Sequence, residues 1–197
     1  MRTKLILIRH GQTEWNRKRR YSGFVDIDLD KTGVTQVKKL SIRLKKEKID
    51  AVYSSDRKRA VSSAKIIFNG RRIEKIPGLR EINFGVFEGL TYKQITSKYP
   101  AIYKRWLANP FKAAIPHGET LAKLKKRVVA AINKIVFRNR GKTIAIVFHG
   151  GATSIFINYI LKKRDFWKYI PSSASLTIVE YNNKTPKLKS FNDTKHL

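Results

Sequence analysis

Two histidines are the residues of this chain best placed to do chemistry, because each closes a run of aliphatic residues and each is followed by glycine. His10 ends Leu5-Ile6-Leu7-Ile8-Arg9-His10-Gly11, and His149 ends Ile144-Ala145-Ile146-Val147-Phe148-His149-Gly150-Gly151. In an open parallel sheet the carboxyl ends of the strands lie along one edge, where ligands bind. Two such histidines, distant in sequence, can therefore meet there. A third run, Ile49–Tyr53, ends in Ser54-Ser55-Asp56-Arg57-Lys58-Arg59 and delivers basic residues to the same edge, where Arg9 already stands. Arginine offers a planar fork that matches phosphate oxygens. An imidazole beside cations is kept neutral by like-charge repulsion, and neutral imidazole is a competent nucleophile at phosphorus. Plainer readings exist for each residue. A histidine after a strand is often structural, Arg59 alone reads as surface charge, and histidine is a common metal ligand. No HxH or HExxH spacing occurs and acidic residues are sparse, so neither a metal nor a cofactor is expected.

The elements that must position these residues follow from hydrophobic periodicity. Lys4–Ile8, Ile49–Tyr53, Thr143–Phe148 and, more weakly, Arg72–Ile76 are short apolar runs of the kind that form strands buried on both faces. Between them the period becomes helical: Val34, Val37, Leu40 and Leu44; Ala60, Ala64, Ile67 and Phe68, with Asp56 as the expected N-cap; Leu121, Leu124, Val128, Ala131, Ile132 and Ile135, with Gly141 as a stop; and Ala152–Leu161. Leu176–Tyr181 and Pro186–Phe191 around Asn182-Asn183-Lys184 read as a hairpin. Strands alternating with helices predict an α/β fold, a three-layer α/β/α sandwich on a mostly parallel sheet. One domain over 1–197 is expected. The stretch 84–116 reads as an irregular, lid-like excursion, in which Tyr92, Tyr99, Tyr103, Trp106 and Phe111 either form an apolar lid or pack the excursion itself.

Composition bounds the partners. Lys plus Arg number 43 against 14 Asp plus Glu, a formal charge of +29. That field favours anionic partners: phosphorylated metabolites, nucleic acid or an anionic membrane surface. A nucleic-acid partner fits the charge but is not favoured. The basic residues are spread along the chain, with short clusters at Arg17–Arg20, Lys123–Arg127 and Lys162–Arg164, rather than gathered in one stripe; most read as a solvated surface. With no cysteine, disulfides, thiolate metal sites and a cysteine nucleophile are excluded. No apolar stretch reaches membrane-span length, and Leu5–Ile8 is too short for a signal peptide, so a cytoplasmic location is expected. The sequence does not set the oligomeric state; a homodimer is compatible with it.

Five segments in order resemble the histidine phosphatase superfamily, also called the phosphoglycerate mutase-like fold. Arg9-His10-Gly11-Gln12-Thr13-Glu14-Trp15-Asn16 is similar to its RHGxTxxN signature, and Tyr53–Ala60 to its second-arginine segment. Leu79–Gly89 resembles its LRE…G.WEG block and Pro116-His117-Gly118-Glu119-Thr120 its PGGES segment, while Phe148-His149-Gly150-Gly151 matches the second histidine. The resemblance implies that His10 becomes phosphohistidine, that Arg9, Arg59 and His149 stabilise the phosphoryl oxygens, and that Asn16 and Gly150 bind the phosphate. It also implies that Glu81 is general acid and then base. Glu88 competes for that role; its other reading is a hydrogen-bonding role in holding a loop. Three departures stand out: Ser22 where many relatives carry Gln, Asp28 where they often carry Pro, and His117 and Thr120 in place of Gly and Ser. His117 reads either as a substrate contact or as a solvent-facing turn residue. The compact chain resembles the phosphatase branch, especially the α-ribazole phosphatase-like group. That implies hydrolysis of small phosphorylated metabolites, with phosphoglycerate mutase as the alternative. A binding module with little turnover is a second alternative, of a different class.

Overall fold

The computed structural model describes residues 1–183 and 185–197. Its strands are β1 (Arg2–Arg9), β2 (Ala51–Ser54), β3 (Ile73–Lys75), β4 (Thr143–Phe148), β5 (Leu176–Asn182) and β6 (Thr185–Asp193), in one sheet of order β3-β2-β4-β1-β5-β6. The first four in that order are mutually parallel; β5 runs antiparallel to β1 and β6 antiparallel to β5. The expected hairpin therefore forms an edge of the sheet, although Lys184 of its turn lies outside the described residues. The helices are α1 (Glu14–Arg17), α2 (Lys31–Leu44), α3 (Lys58–Ile67), α4 (Tyr92–Lys98), α5 (Pro100–Ala108), α6 (Leu121–Arg138) and α7 (Gly150–Leu161).

The strand period of two divides the core. Leu5 and Leu7 of β1 pack with Leu121, Leu124 and Val128 of α6 and with Ile155 and Phe156 of α7. Ile6 and Ile8 point the other way, toward Val37 and Leu40 of α2 and Ala60 and Ala64 of α3. This is the expected sandwich, and each such fully buried Leu or Ile contributes about 1.5–3 kcal/mol relative to exposure. The starts of α2 and α6 are capped: the Asp30 carboxylate accepts from Gly33 N–H at 2.8 Å and the Thr120 hydroxyl from Lys123 N–H at 3.2 Å. The threonine in the Pro116–Thr120 segment thus has a capping job.

Three local expectations are corrected. Asp56 does not cap α3. Its carboxylate is taken by Arg80, whose Nε lies 2.8 and 3.0 Å from the two oxygens, and Asp26 instead accepts from Lys58 N–H at 2.6 Å. Next, α7 begins at Gly150 rather than Ala152, so its first turn abuts His149. The stretch 84–116 is largely helical rather than irregular, since it carries α4 and α5. In α4, Thr91 and Gln94 form a reciprocal capping box. Trp106 and Tyr103 are buried against Phe87, so these two aromatics pack the excursion rather than face a ligand, whereas Tyr92 is 60% exposed.

Sheet register is what positions the chemistry. Arg9 pairs with Phe148 across β1 and β4, so His10 and His149 leave neighbouring strands side by side. Ser54 pairs with Val147 across β2 and β4, which brings Ser55 to the same edge.

Candidate active site

His10 and His149 are buried, and their rings meet edge to face with centroids 5.3 Å apart. The two Nδ1 and Nε2 positions are used differently. His10 Nδ1 lies 2.7 Å from the carbonyl of Gly11, an acceptor only, so Nδ1 carries the proton and Nε2 keeps its lone pair. Burial holds His10 well below its ordinary pKa, and Arg59 and Arg9 add to the effect. Burial does the same to His149, again with Arg59 adding to it. Both imidazoles are therefore neutral at pH 7. Burial also lowers Arg59, to about 10, which leaves it charged.

The arginines are fixed by backbone. Arg9 donates from Nη1 to the carbonyl of Pro171, and the Ala174 N–H donates to the carbonyls of Arg9 and His10 at 3.1 Å each. Arg59, with no exposed surface, donates to the carbonyls of Gly23 at 2.7 Å and Val25 at 3.0 Å. Glu88 grips the same loop, accepting from Phe24 N–H at 2.6 Å and Val25 N–H at 2.7 Å. Its carboxylate is thus committed to the loop, the second of the two readings given for it. Among the described residues, Arg9 Nε, Arg59 Nε and His149 Nδ1 are buried with no hydrogen-bond partner.

Glu81 sits at the start of α7. Its carboxylate accepts from Ile82 N–H at 2.9 Å, Gly151 N–H at 2.8 Å and Ala152 N–H at 3.0 Å. The glycines there make room: a Cβ on Gly151 would lie 2.5 Å from a Glu81 carboxylate oxygen, and one on Gly150 would lie 3.2 Å from the Arg9 guanidinium carbon. Asn16 closes a capping box with Thr13, its Oδ1 accepting from Thr13 N–H at 3.1 Å. A cavity of about 210 Å³ opens over these groups, lined by Arg9, His10, Asn16, Glu81, Gly150 and Gly151, with Phe84, Phe166, Trp167 and Ile170 as apolar wall. Arg59 and His149 are buried beside His10 and do not line it. Ser22 does, and its hydroxyl is buried without a partner. His117 is exposed at φ 60°, the left-handed region that favours glycine, and takes no part in the cavity. A larger groove of about 1610 Å³ along α6 and α7 shares only Phe166 and Trp167 with this cavity and contains neither histidine.

Sequence reasoning missed Arg127 and Glu119. Arg127 donates to the carbonyls of Arg80 at 2.5 Å, Glu81 at 2.6 Å and Gly78 at 3.2 Å, and pairs with Glu119, which in turn accepts from Asn83 N–H at 2.9 Å. The signal was present, since Arg127 falls between Leu124 and Val128 on the apolar stripe of α6, where a solvated cation does not belong. Arg127→Met should lower stability by about 2–3 kcal/mol, as buried carbonyls lose their donors. It should also lower kcat, because Glu81 loses its mooring. Denaturant titration beside steady-state kinetics tests this, and an unchanged kcat in the destabilised variant would contradict it.

The neutral histidines also set a pH dependence. A histidine whose folded pKa is depressed contributes stability that is present above its unfolded value near 6.5 and lost as pH falls toward the folded value. His10 and His149 both have this sign. Asp56, pulled down to about 2 by Arg80, has the same sign but responds only below the ordinary carboxylate range. Urea midpoints should therefore fall between pH 6.5 and 5, each buried histidine contributing up to about 1.4 kcal/mol per pH unit. A flat profile over that window would mean that these imidazoles take up protons in the folded chain as they do in the unfolded one.

Residues 5–194 match the model of the histidine phosphatase superfamily, branch 1. The chain belongs to that superfamily. It is 31% identical to phosphoserine phosphatase 1 of Hydrogenobacter thermophilus over 198 residues, covering 98% of this chain and 94% of that protein. Its fold superposes on Bacillus stearothermophilus YhfR with a TM-score of 0.92 at 31% identity and 98% coverage of both chains. It also superposes on the α-ribazole phosphatase of Shigella flexneri with a TM-score of 0.89 at 26% identity, covering 97% and 96% of the two chains. The histidine phosphatases thus include relatives of this chain named for two different phosphate monoesters. Among the described residues no group of three or more His, Cys, Asp or Glu is arranged to hold a metal ion, and no helix is long and apolar enough to cross a membrane.

Proposed function

We propose that this chain hydrolyses phosphate monoesters of small metabolites through two successive in-line phosphoryl transfers on His10. The Nε2 lone pair attacks phosphorus while the bond to the ester oxygen breaks, and protonated Glu81 gives its proton to the leaving oxygen. Water then attacks the phosphohistidine, Glu81 takes the proton from that water, and the N–P bond breaks to release phosphate. Arg9, Arg59, His149, Asn16 and the backbone N–H of Gly150 serve the phosphoryl oxygens and stabilise charge as it develops.

The observation that carries this reading is the set of three unpartnered, buried nitrogens around a neutral imidazole: Arg9 Nε, Arg59 Nε and His149 Nδ1. Buried polar groups are almost always satisfied, so such a set is kept for an anion. The small cavity and its Phe84, Phe166 and Trp167 wall suit a compact organic leaving group. We read residues 1–197 as one domain, with 84–116 as a lid that contributes Phe84 to the wall of the site. A cytoplasmic setting fits the lack of cysteine and the metabolite substrate.

The test is a panel of phosphoserine, α-ribazole phosphate, 3-phosphoglycerate, nucleotides, sugar phosphates and an aryl phosphate, each with and without chelator. Chelator-resistant phosphate release from at least one member is expected. Isomerised phosphoglycerate appearing faster than free phosphate would establish a mutase instead. Salt-steep binding of RNA or DNA with no ester hydrolysed would establish the binding module.

A further inference from the structure

The third strand at this edge brings more than a basic segment. Ser55, which follows β2, has no exposed surface, and its hydroxyl lies 2.8 Å from Nε2 of His149. Register puts it there: the Ser55 N–H donates to the Val147 carbonyl at 2.9 Å, tying it to the strand that ends in His149. The same hydroxyl oxygen accepts from Arg57 N–H at 3.3 Å. Among the described residues the only acceptor within reach of the Ser55 O–H proton is therefore His149 Nε2.

We propose that Ser55 is a positioning residue that sets the tautomer of His149. Two arrangements of protons are open to the pair. With the proton on Nε2, Ser55 oxygen would receive two donors, its own O–H proton would be stranded in a buried site, and His149 Nδ1 would be a stranded lone pair. With the serine proton donated to Nε2, every one of these groups is satisfied except Nδ1, which then carries an N–H with no protein acceptor. The ring that carries this unpaired donor packs edge to face against His10. It is the group an incoming phosphoryl oxygen would accept from, so this inference rests on the phosphatase reading for its purpose but not for its geometry.

The two histidines then hold the same tautomer for opposite ends. In His10 the protonated nitrogen is tied to Gly11 and the lone pair is free. In His149 the lone pair is tied to Ser55 and the N–H is free. One imidazole is left as nucleophile and its neighbour as donor, and a backbone carbonyl and a serine hydroxyl make the difference.

The test is a two-bond proton–nitrogen correlation spectrum of the ligand-free protein with nitrogen-labelled histidine. The chain has four histidines, and His10→Ala, His117→Asn and His196→Asn variants assign His149 by elimination. The expected wild-type spectrum has His149 as the Nδ1–H tautomer, and Ser55→Ala moves it toward Nε2–H. Ser55→Ala should also lower kcat by up to about 100-fold, less than the about 10²- to 10³-fold of removing a transition-state donor outright, with a smaller change in KM. A wild-type His149 protonated on Nε2 overturns the proposal even if the variant does not fold. So does a Ser55→Ala spectrum unchanged at His149, because a hydroxyl that merely holds Arg57 would lower stability without moving the tautomer. Neither outcome touches the reading of His10 as nucleophile, which fails if hydrolysis survives its removal.

Discussion

His10→Ala is expected to keep the fold and to lose phosphate release by at least about 10³-fold on every ester the chain accepts, the scale of removing a covalent nucleophile. Among the described residues the imidazole makes one hydrogen bond, to the carbonyl of the next residue, and touches the His149 ring. Its loss therefore leaves a small polar cavity on the sheet edge rather than a gap in either apolar core. Removing a buried group that must be neutral also removes one source of acid sensitivity, so the pH dependence of stability should be shallower in the variant. Circular dichroism and a urea titration establish that the protein is folded, and the ester panel establishes the loss. Retained hydrolysis in a folded His10→Ala protein would transfer the chemistry to another group. Glu81 and a directly attacking water would be the first candidates.

The second large effect is expected from Glu81→Gln, and its size should depend on the leaving group. An alkoxide leaves poorly without a proton, so alkyl phosphates should slow by about 10²- to 10⁴-fold. An aryl phosphate needs little help in leaving. Its first turnover should release the aryl alcohol near the wild-type rate, as a burst. Later turnovers should be slow, because water then lacks a base. Gln also changes the packing of donors. With its oxygen kept on Ile82 and Ala152, its amide nitrogen faces the Gly151 N–H, which costs about 1–3 kcal/mol of stability. Equal losses on alkyl and aryl esters, with no burst, would remove Glu81 from proton transfer and leave it as a brace for α7.

Much of this site was legible because it is built on strand ends. A buried strand has an unmistakable pattern, and once two such strands each end in His-Gly, sheet geometry alone brings the histidines together. The parallel pairing of β1 with β4 is that geometry. The residue proposed as the acid was not legible in the same way. Glu81 lies between the 3₁₀ turns Pro77–Leu79 and Gly85–Phe87, with no periodicity of its own, and only the family resemblance marked it out. What holds it there, Arg127 with Glu119, joins segments that no periodicity relates, although the cation on the apolar stripe of α6 was a usable sign. Asp56 illustrates the opposite error. Its position before α3 is right for a cap, but a charged guanidinium offers a carboxylate a stronger partner than a backbone amide, and Arg80 takes it. The wall formed by Phe166, Trp167 and Ile170 left no trace in the sequence, because a loop after a helix has no period to read.

The most direct test of the account is stereochemical. If His10 carries the phosphoryl group between alcohol and water, phosphorus is attacked in line twice and inverted twice. Turnover of an isotopically chiral phosphorothioate monoester in labelled water should therefore give inorganic thiophosphate with net retention of configuration. Net inversion would mean a single displacement by water, and the covalent role assigned to His10 would be wrong.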